Sequence, residues 1–131
     1  MKVVHISTVH VDTDTRIVEK ECKGLAQRGY EVTLIIPADQ DEVRNGVMIS
    51  ALKRPSGRFK RMTVTAFQAY RSARNIKADI YHLHDPELID LGILLKLCGA
   101  TVVYDMHENV PEQIRNNHWI SSVFRRSVSC L

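Results

Sequence analysis

Two histidines and an aspartate stand within four positions of one another in the middle of the chain. His82 and His84 are separated by one residue, and Asp85 precedes Pro86 in the run YHLHDPELID. Imidazole and carboxylate side chains bind metal ions, transfer protons near neutral pH and form hydrogen bonds with hydroxyl groups. The run is therefore compatible with a metal site, with a catalytic or substrate-binding edge, or with a strand end rich in histidine.

Strand geometry separates the roles of these residues. Side chains two positions apart in a strand point to the same face, so His82 and His84 lie side by side and Asp85 points away. A catalytic zinc site needs a third protein ligand, and the further residues of His-x-His-x-Asp-His hydrolases do not follow here, so we expect no metal. His82, deeper in the strand, is predicted to be a hydrogen-bonded core histidine. His84 and Asp85 are predicted to lie at a substrate-binding rim, beside a helix N-terminus that favours an anionic group.

The elements that would position these residues alternate between strands and helices. Strands are predicted over 3–7, 31–37, 47–52, 79–84 and 101–107. Helices are predicted over 15–29, 59–77, 86–99 and 119–131, the second with Phe59, Met62, Ala66, Tyr70 and Ala73 on one side. This alternation indicates one α/β domain, with a doubly wound, Rossmann-like, mostly parallel sheet. Such sheets bind ligands beyond the carboxyl ends of their strands.

The loop after the first strand contains no glycine. The dinucleotide-binding fingerprint and the P-loop both need glycines, so no nicotinamide, flavin or other cofactor is expected. Asp14 and Arg16 are instead candidate substrate contacts. Helix capping is the alternative role for Asp14, and Arg16 could reach across the crevice to an anionic group.

Asp105, His107 and Glu108 lie at the carboxyl end of the fifth predicted strand. Because the fourth and fifth strands are neighbours in a doubly wound sheet, His84 and His107 should face one crevice. Polar residues clustered at this edge predict a small-molecule or sugar site.

Composition and charge narrow the class of protein. The chain has 131 residues, 44% of them hydrophobic and 25% charged, which fits one globular domain. The chain contains no apolar run of membrane-spanning length and no signal-peptide pattern. Its three widely spaced cysteines fit reduced thiols in a cytoplasmic protein.

Nine basic and no acidic residues lie between Glu42 and Asp79. This segment is either a solvated face or a surface for anionic lipid headgroups or a phosphate-bearing ligand, whereas the few aromatic residues disfavour nucleic acid.

Two long runs carry a family resemblance. DTRIVEKECKGLAQRGYEVTLI and ADIYHLHDPELIDLGILLKLCGATVVYDMHENVPEQI resemble the N-terminal domain of GT-B-type retaining glycosyltransferases of the group 1 family, with members in bacterial capsule, exopolysaccharide and lipopolysaccharide synthesis. The resemblance implies two Rossmann-like domains that face a cleft, with the acceptor on the N-terminal domain, the nucleotide-sugar donor on the C-terminal domain and no metal. It implies that His107 lines the cleft beside the transferred sugar as the catalytic residue. It also matches His84 and Asp85 to a substrate-binding rim and makes Glu108 a substrate contact.

The chain departs from that family at two points. Many members have a glycine pair after the first strand, where this chain has Asp12-Thr-Asp14-Thr-Arg16. The Glu-x7-Glu signature of the family belongs to its C-terminal domain, and no counterpart occurs in these 131 residues. We therefore expect residues 1–131 to be a single acceptor-side domain, inactive alone, of an enzyme that transfers a sugar to a glycan or lipid-linked acceptor. Peripheral contact with the membrane is also expected. The alternative is a stand-alone flavodoxin-like ligand-binding module without catalysis.

Overall fold

The computed structural model describes residues 1–105. The predicted helix at 119–131 and the predicted site residues His107 and Glu108 lie outside this range. A six-stranded sheet has the order β3-β4-β2-β1-β5-β6, and all neighbouring strands are parallel except β3 and β4. The strands are β1 (Lys2–Ile6), β2 (Glu31–Pro37), β3 (Glu42–Arg44), β4 (Val47–Leu52), β5 (Ile80–Leu83) and β6 (Thr101–Tyr104). The predicted α/β, mostly parallel, Rossmann-like fold is confirmed.

Three helical units connect the parallel strands. Helix α1 has a π-helical segment, Thr15–Cys22, and an α-helical segment, Lys23–Gln27. Helix α2 consists of an α-helical turn, Arg58–Lys60, a π-helical segment, Arg61–Thr65, and an α-helical segment, Ala66–Ile76. Helix α3 begins with the 3₁₀ turn Pro86–Leu88 and continues as an α-helix over Ile89–Leu97. The predicted boundaries of all three are confirmed to within two residues. Within residues 1–105 no helix is long and apolar enough to cross a membrane.

The short strand β3 was missed by the sequence reasoning. Residues 38–46 were predicted as a polar connection, but Glu42–Arg44 pairs antiparallel with β4. Asn45 and Gly46 have φ values of 53° and 80°, which is the left-handed pair that a two-residue hairpin requires. The Asn-Gly turn signal was therefore correct, and the three residues before it were too polar to indicate a strand.

The sheet is covered on both faces, which explains the continuous burial of β1 and β2. Val4 and Ile6 of β1 face a core that α2 and α3 complete. The other face packs Leu34 and Ile36 of β2 against Ile17 of α1. Because side chains alternate along a strand, His5 points to the α1 face of the sheet.

The apolar side predicted for α2 is only partly correct. Ala69 and Ala73 are buried, and Ala66 and Tyr70 pack against the same core. Phe59 and Met62, however, are 80% and 49% exposed. The first turns of α2 therefore leave their apolar side chains largely in solvent, and the apolar side of the helix is buried only from Thr65 onward.

Candidate functional site

Three histidines meet on the α1 face of the sheet. His5 of β1 is paired in register with His82 of β5, and His84 follows one residue after β5. The ring centroids are 4.8 Å apart for His5 and His82, 4.5 Å for His82 and His84, and 5.2 Å for His5 and His84. The Nδ1 atom of His5 lies 3.0 Å from Nε2 of His84, so one of the two rings donates a hydrogen bond to the other. The predicted side-by-side placement of His82 and His84 is confirmed, and His5 is an addition.

The predicted order of burial along this strand is wrong. His84 and Asp85 were expected at the rim, but their side chains are 0% and 3% exposed. The side chain of His82, expected in the core, is 21% exposed. The loop after β1 covers Asp85, which binds it, whereas the His84 ring stacks on His5 and lies 3.7 Å from Oε2 of Glu21 on α1. Direct substrate contact by His84 and Asp85 stays a prediction.

Asp85 holds that loop in place. Its Oδ2 atom accepts hydrogen bonds from the Ser7 hydroxyl at 2.9 Å, from the Thr8 amide at 2.6 Å and from the Val9 amide at 3.2 Å. A carboxylate that accepts several bonds from one short segment fixes the backbone path of that segment. Asp85 therefore positions the loop at the carboxyl edge of β1.

Asp14 caps α1, as the alternative reading of the sequence proposed. Its Oδ1 atom accepts bonds from the amides of Arg16 at 3.0 Å and Ile17 at 3.1 Å, and its Oδ2 atom lies 2.9 Å from Nδ1 of His10. Burial raises the pKa of the Asp14 carboxyl, but the two amides and His10 together lower the pKa by more, so it lies below its ordinary value. Asp14 thus favours the ionised form in the folded chain. Substrate contact by Asp14 stays a prediction.

Arg16 lies at the start of α1, and the groups that its guanidinium meets are carboxylates of the same chain. Its NH1 atom lies 3.6 Å from Oδ2 of Asp105, just after β6, and 3.7 Å from Oε1 of Glu21 on α1. The guanidinium group therefore connects the start of α1 with the end of β6. An anionic ligand in the crevice would meet this cation at the carboxyl edge of the sheet. Substrate contact by Arg16 stays a prediction.

Glu21 lies over the histidines. Its Oε2 atom is 3.8 Å from Nδ1 of His5, 3.9 Å from Nδ1 of His82 and 3.7 Å from Nε2 of His84. Burial, and secondly the charge of His82, lowers the pKa of His5 to about 3. His5 is therefore a neutral imidazole at physiological pH, with a lone pair available on one nitrogen.

A cavity of about 330 Å³ opens beside this cluster between α1 and the sheet. Its walls include His5, His82 and Glu21, together with Gly24 and Arg28 of α1. The histidine cluster is therefore reachable by a small ion or molecule from this side.

Two members of the cluster, His5 and Glu21, were not predicted from the sequence. The alternation of β1 could have found His5, because Val4 and Ile6 occupy the opposite face. Glu21 carried no such signal, since it is one of several charged residues on α1. The expectation of no metal depended on the lack of a third ligand after His84, and the fold supplies His5 and Glu21 from elsewhere in the chain.

Comparisons with known proteins identify a family and show a shared fold. Residues 15–130 match the model of a family described as Glycosyltransferase Family 4. No curated protein sequence matches the chain. Among solved structures, the C-terminal domain (its residues 78–226) of a hydrogenase from Pyrococcus furiosus is similar, with a TM-score of 0.57 and 13% identity over 80% of this chain and 91% of that one. At this identity the likeness concerns the fold alone.

Proposed function

Because the chain belongs to glycosyltransferase family 4, we propose that it forms the acceptor-side, N-terminal domain of a retaining GT-B-type enzyme. The enzyme would transfer a sugar from a nucleotide-sugar donor to a glycan or lipid-linked acceptor. The family match over residues 15–130 is the observation that carries this proposal. The α/β fold and the charged groups at the carboxyl edge of the sheet support it. A C-terminal domain would bind the donor, and this domain alone would be inactive.

The proposed transfer exchanges one bond at the anomeric carbon. The bond to the diphosphate breaks and the nucleoside diphosphate leaves with the bonding electrons. The acceptor hydroxyl oxygen bonds to the same face of the sugar, and the hydroxyl proton passes to an oxygen of the departing diphosphate. We propose that His107, three residues after β6, lines the cleft beside the sugar, with Glu108 as a substrate contact. No metal cofactor takes part in this scheme.

The described residues would prepare the crevice for those substrates. Arg16 presents its guanidinium group where an anionic part of the donor or acceptor would enter. Asp85 and Asp14 hold the loop between β1 and α1 in one conformation. In this proposal His84 and Asp85, which are both buried, would lie beneath the substrates. The Arg16 guanidinium and the loop would therefore already be in place when substrate binds, so binding would not have to order them.

The test uses the protein encoded by the complete reading frame. We expect that frame to encode a Glu-x7-Glu signature beyond residue 131, and the purified protein to release nucleoside diphosphate from a nucleotide sugar when an acceptor is present. His107→Ala should remove most of the transfer while the far-ultraviolet circular dichroism stays unchanged. Asp39→Ala, on an 88% exposed side chain, is the control that should leave transfer intact. Normal turnover in His107→Ala would contradict the catalytic assignment, and a frame without the signature would remove most support for the enzyme.

The exposed surface of α2 supports the proposal that the acceptor is bound to a membrane. Phe59, Phe67 and Val64 are 80%, 60% and 53% exposed, and the basic residues Arg58 and Lys60 are exposed beside them. Exposed aromatic and aliphatic side chains among cations are typical of helices that bind anionic lipid surfaces. We propose that α2 brings the domain into peripheral contact with the cytoplasmic face of the membrane.

Vesicle sedimentation tests this contact. The chain should sediment with vesicles that contain phosphatidylglycerol and should stay in solution with pure phosphatidylcholine vesicles. Phe59→Ser combined with Phe67→Ser should reduce the bound fraction several-fold. Val43→Ser removes a 66% exposed apolar side chain from β3, on another surface, and serves as the matched control. Equal binding by the double variant and the control would exclude α2 as the membrane contact.

A further inference from the structure

Four donor atoms converge on the α1 face of the sheet, and their spacing resembles that of a metal coordination shell. Each of His5, His82, His84 and Glu21 offers one ligand atom, and these atoms all lie within 4.8 Å of one another. Tetrahedral zinc, with bonds of about 2.0–2.1 Å, requires donors roughly 3.4 Å apart. The measured separations of 3.0 Å between His5 and His84, and 3.7–3.9 Å from Glu21 to the three rings, lie on either side of that value. Small side-chain rotations would therefore complete the shell.

We propose that His5, His82, His84 and Glu21 form a binding site for one zinc-class divalent cation. Imidazole nitrogens and a carboxylate oxygen are typical zinc ligands, whereas calcium and magnesium prefer shells made of oxygen. The four ligands come from β1, from β5 and the residue after it, and from α1, so an ion would join two strands and the helix above them.

Asp105 strengthens the assignment because it faces the other nitrogens of two of the rings. His82 directs Nδ1 to Glu21, and its Nε2 atom lies 3.8 Å from Oδ2 of Asp105. His84 directs Nε2 to Glu21, and its Nδ1 atom lies 4.0 Å from the same Asp105 oxygen. Histidines that bind metals usually donate their second N–H to a carboxylate, a backbone carbonyl or water, which fixes the tautomer and the ring orientation. At 3.8 Å and 4.0 Å Asp105 is close to this position but not within hydrogen-bond distance. One carboxylate would serve both rings here.

Arg16 is a positive charge beside the site, and Lys20 and Arg28 line the cavity that opens next to it. Arg16 lies 3.7 Å from Oε1 of Glu21, whereas the histidines face Oε2 of the same carboxylate. The guanidinium group therefore occupies one oxygen of Glu21 and leaves the other directed at the cluster. An ion would reach the ligands through the cavity of about 330 Å³ that His5, Glu21 and His82 line.

Four protein ligands would fill a tetrahedral shell and leave no position for a substrate. Closed shells of this kind are structural, whereas catalytic zinc keeps an open position. The ion would therefore stabilise the junction of β1, β5 and α1. It would take no part in sugar transfer, which is consistent with the metal-independent chemistry proposed above.

Titration of the purified chain with Zn²⁺, in competition with a chromophoric chelator, tests the site. We expect one ion per chain, a melting temperature that rises with Zn²⁺ concentration, and intense visible absorption of tetrahedral Co²⁺. His82→Ala removes the ligand that is least buried of the three histidines, and Glu21→Gln removes the carboxylate. Each should weaken binding by more than about 10-fold, and Asp105→Asn should weaken it by about 10-fold to 100-fold.

His10→Ala is the matched control, because His10 contacts Asp14 and not the cluster. Circular dichroism without metal shows whether each variant is folded, and Glu21→Gln keeps the shape of the side chain should His82→Ala fail to fold. Wild-type affinity in either folded ligand variant would overturn the proposal, as would Co²⁺ bound without tetrahedral absorption. Loss of binding in His10→Ala equal to that in His82→Ala would overturn it too.

Discussion

The carboxylate of Asp85 accepts a hydrogen bond from the hydroxyl of Ser7 at 2.9 Å, across 78 positions of the chain. The same oxygen accepts the amide N–H of Thr8, and Thr8 in turn donates its hydroxyl to Glu87 at 2.5 Å. The segment after β5 therefore holds the segment after β1 at the edge of the sheet where parallel α/β folds bind their ligands. Buried polar contacts hold this loop in place. Its two apolar side chains, Val9 and Val11, are largely exposed and contribute little packing.

Replacement of Asp85 should destabilise the whole chain. Asp85→Ala leaves the Ser7 hydroxyl and the amides of Thr8 and Val9 without their acceptor in a buried position, at a cost of about 3 kcal/mol in the free energy of unfolding. Urea denaturation measures this cost. Asp39→Ala, on the surface, should change stability by less than about 0.5 kcal/mol. Similar stability for the two variants would show that the loop does not depend on Asp85.

The ion pair between Arg61 and Glu87 should couple more strongly than a surface pair. The Nε atom of Arg61 lies 2.8 Å and 3.1 Å from the two oxygens of Glu87, and the side chains are 27% and 10% exposed. A double-mutant cycle with alanine should give a coupling energy of about 1–2 kcal/mol, because partial burial reduces solvent screening.

A surface pair of the same chain provides the comparison for that cycle. Lys23 and Glu19 are one helical turn apart on α1 and more exposed, and their coupling should be about 0.3–0.5 kcal/mol. Equal coupling energies in the two cycles would mean that Arg61 does not fix α2 to the segment after β5.

The charge of Asp14 should give the chain a pH-dependent component of stability. The folded-state pKa of Asp14 lies below its ordinary value, so its contribution is fully present above that value and is lost as the pH falls through the folded pKa. Asp14→Asn keeps a good helix cap without the charge. The variant should therefore be less stable than the wild type at pH 7, and the difference should shrink when the pH is lowered below about 4. A difference that persists unchanged in acid would assign it to geometry rather than charge.

The fold was predictable because its signals are local. Buried runs such as Val3–Ile6, helix starts such as Asp14 and left-handed stops such as Gly29 can each be read from a few adjacent residues. The antiparallel strand β3 was not predictable, because Glu42–Arg44 is too short and polar to carry an alternation signal. Its existence follows from pairing with β4 across the Asn45-Gly46 turn.

The sequence indicated where in the fold the candidate site would lie, but not which side chains would be buried there or which helical residue would face it. The strand-end rule directed attention to His84, Asp85 and Arg16, and the structure brings these residues to one edge of the sheet. The rule could not give the burial of His84, which depends on its contacts with His5 of β1 and Glu21 of α1. It also could not select Glu21, because which helical charge faces the sheet depends on the rotation of α1 about its axis.

Two helical glycines offer a comparison of packing on the two faces of the sheet. A Cβ atom at Gly24 of α1 would meet nothing within 4 Å, whereas one at Gly92 of α3 would lie 2.7 Å from Cδ1 of Leu83 and 3.4 Å from Cγ1 of Val102. Alanine is favoured over glycine in a helix by up to about 1 kcal/mol, so Gly24→Ala should stabilise the chain. Gly92→Ala should destabilise it by about 1 kcal/mol, because the buried Leu83 would have to shift its Cδ1 atom within a packed core. Urea denaturation in the presence of a chelator separates this effect from metal binding, and stabilisation by both substitutions would contradict the close packing of α3 on β5.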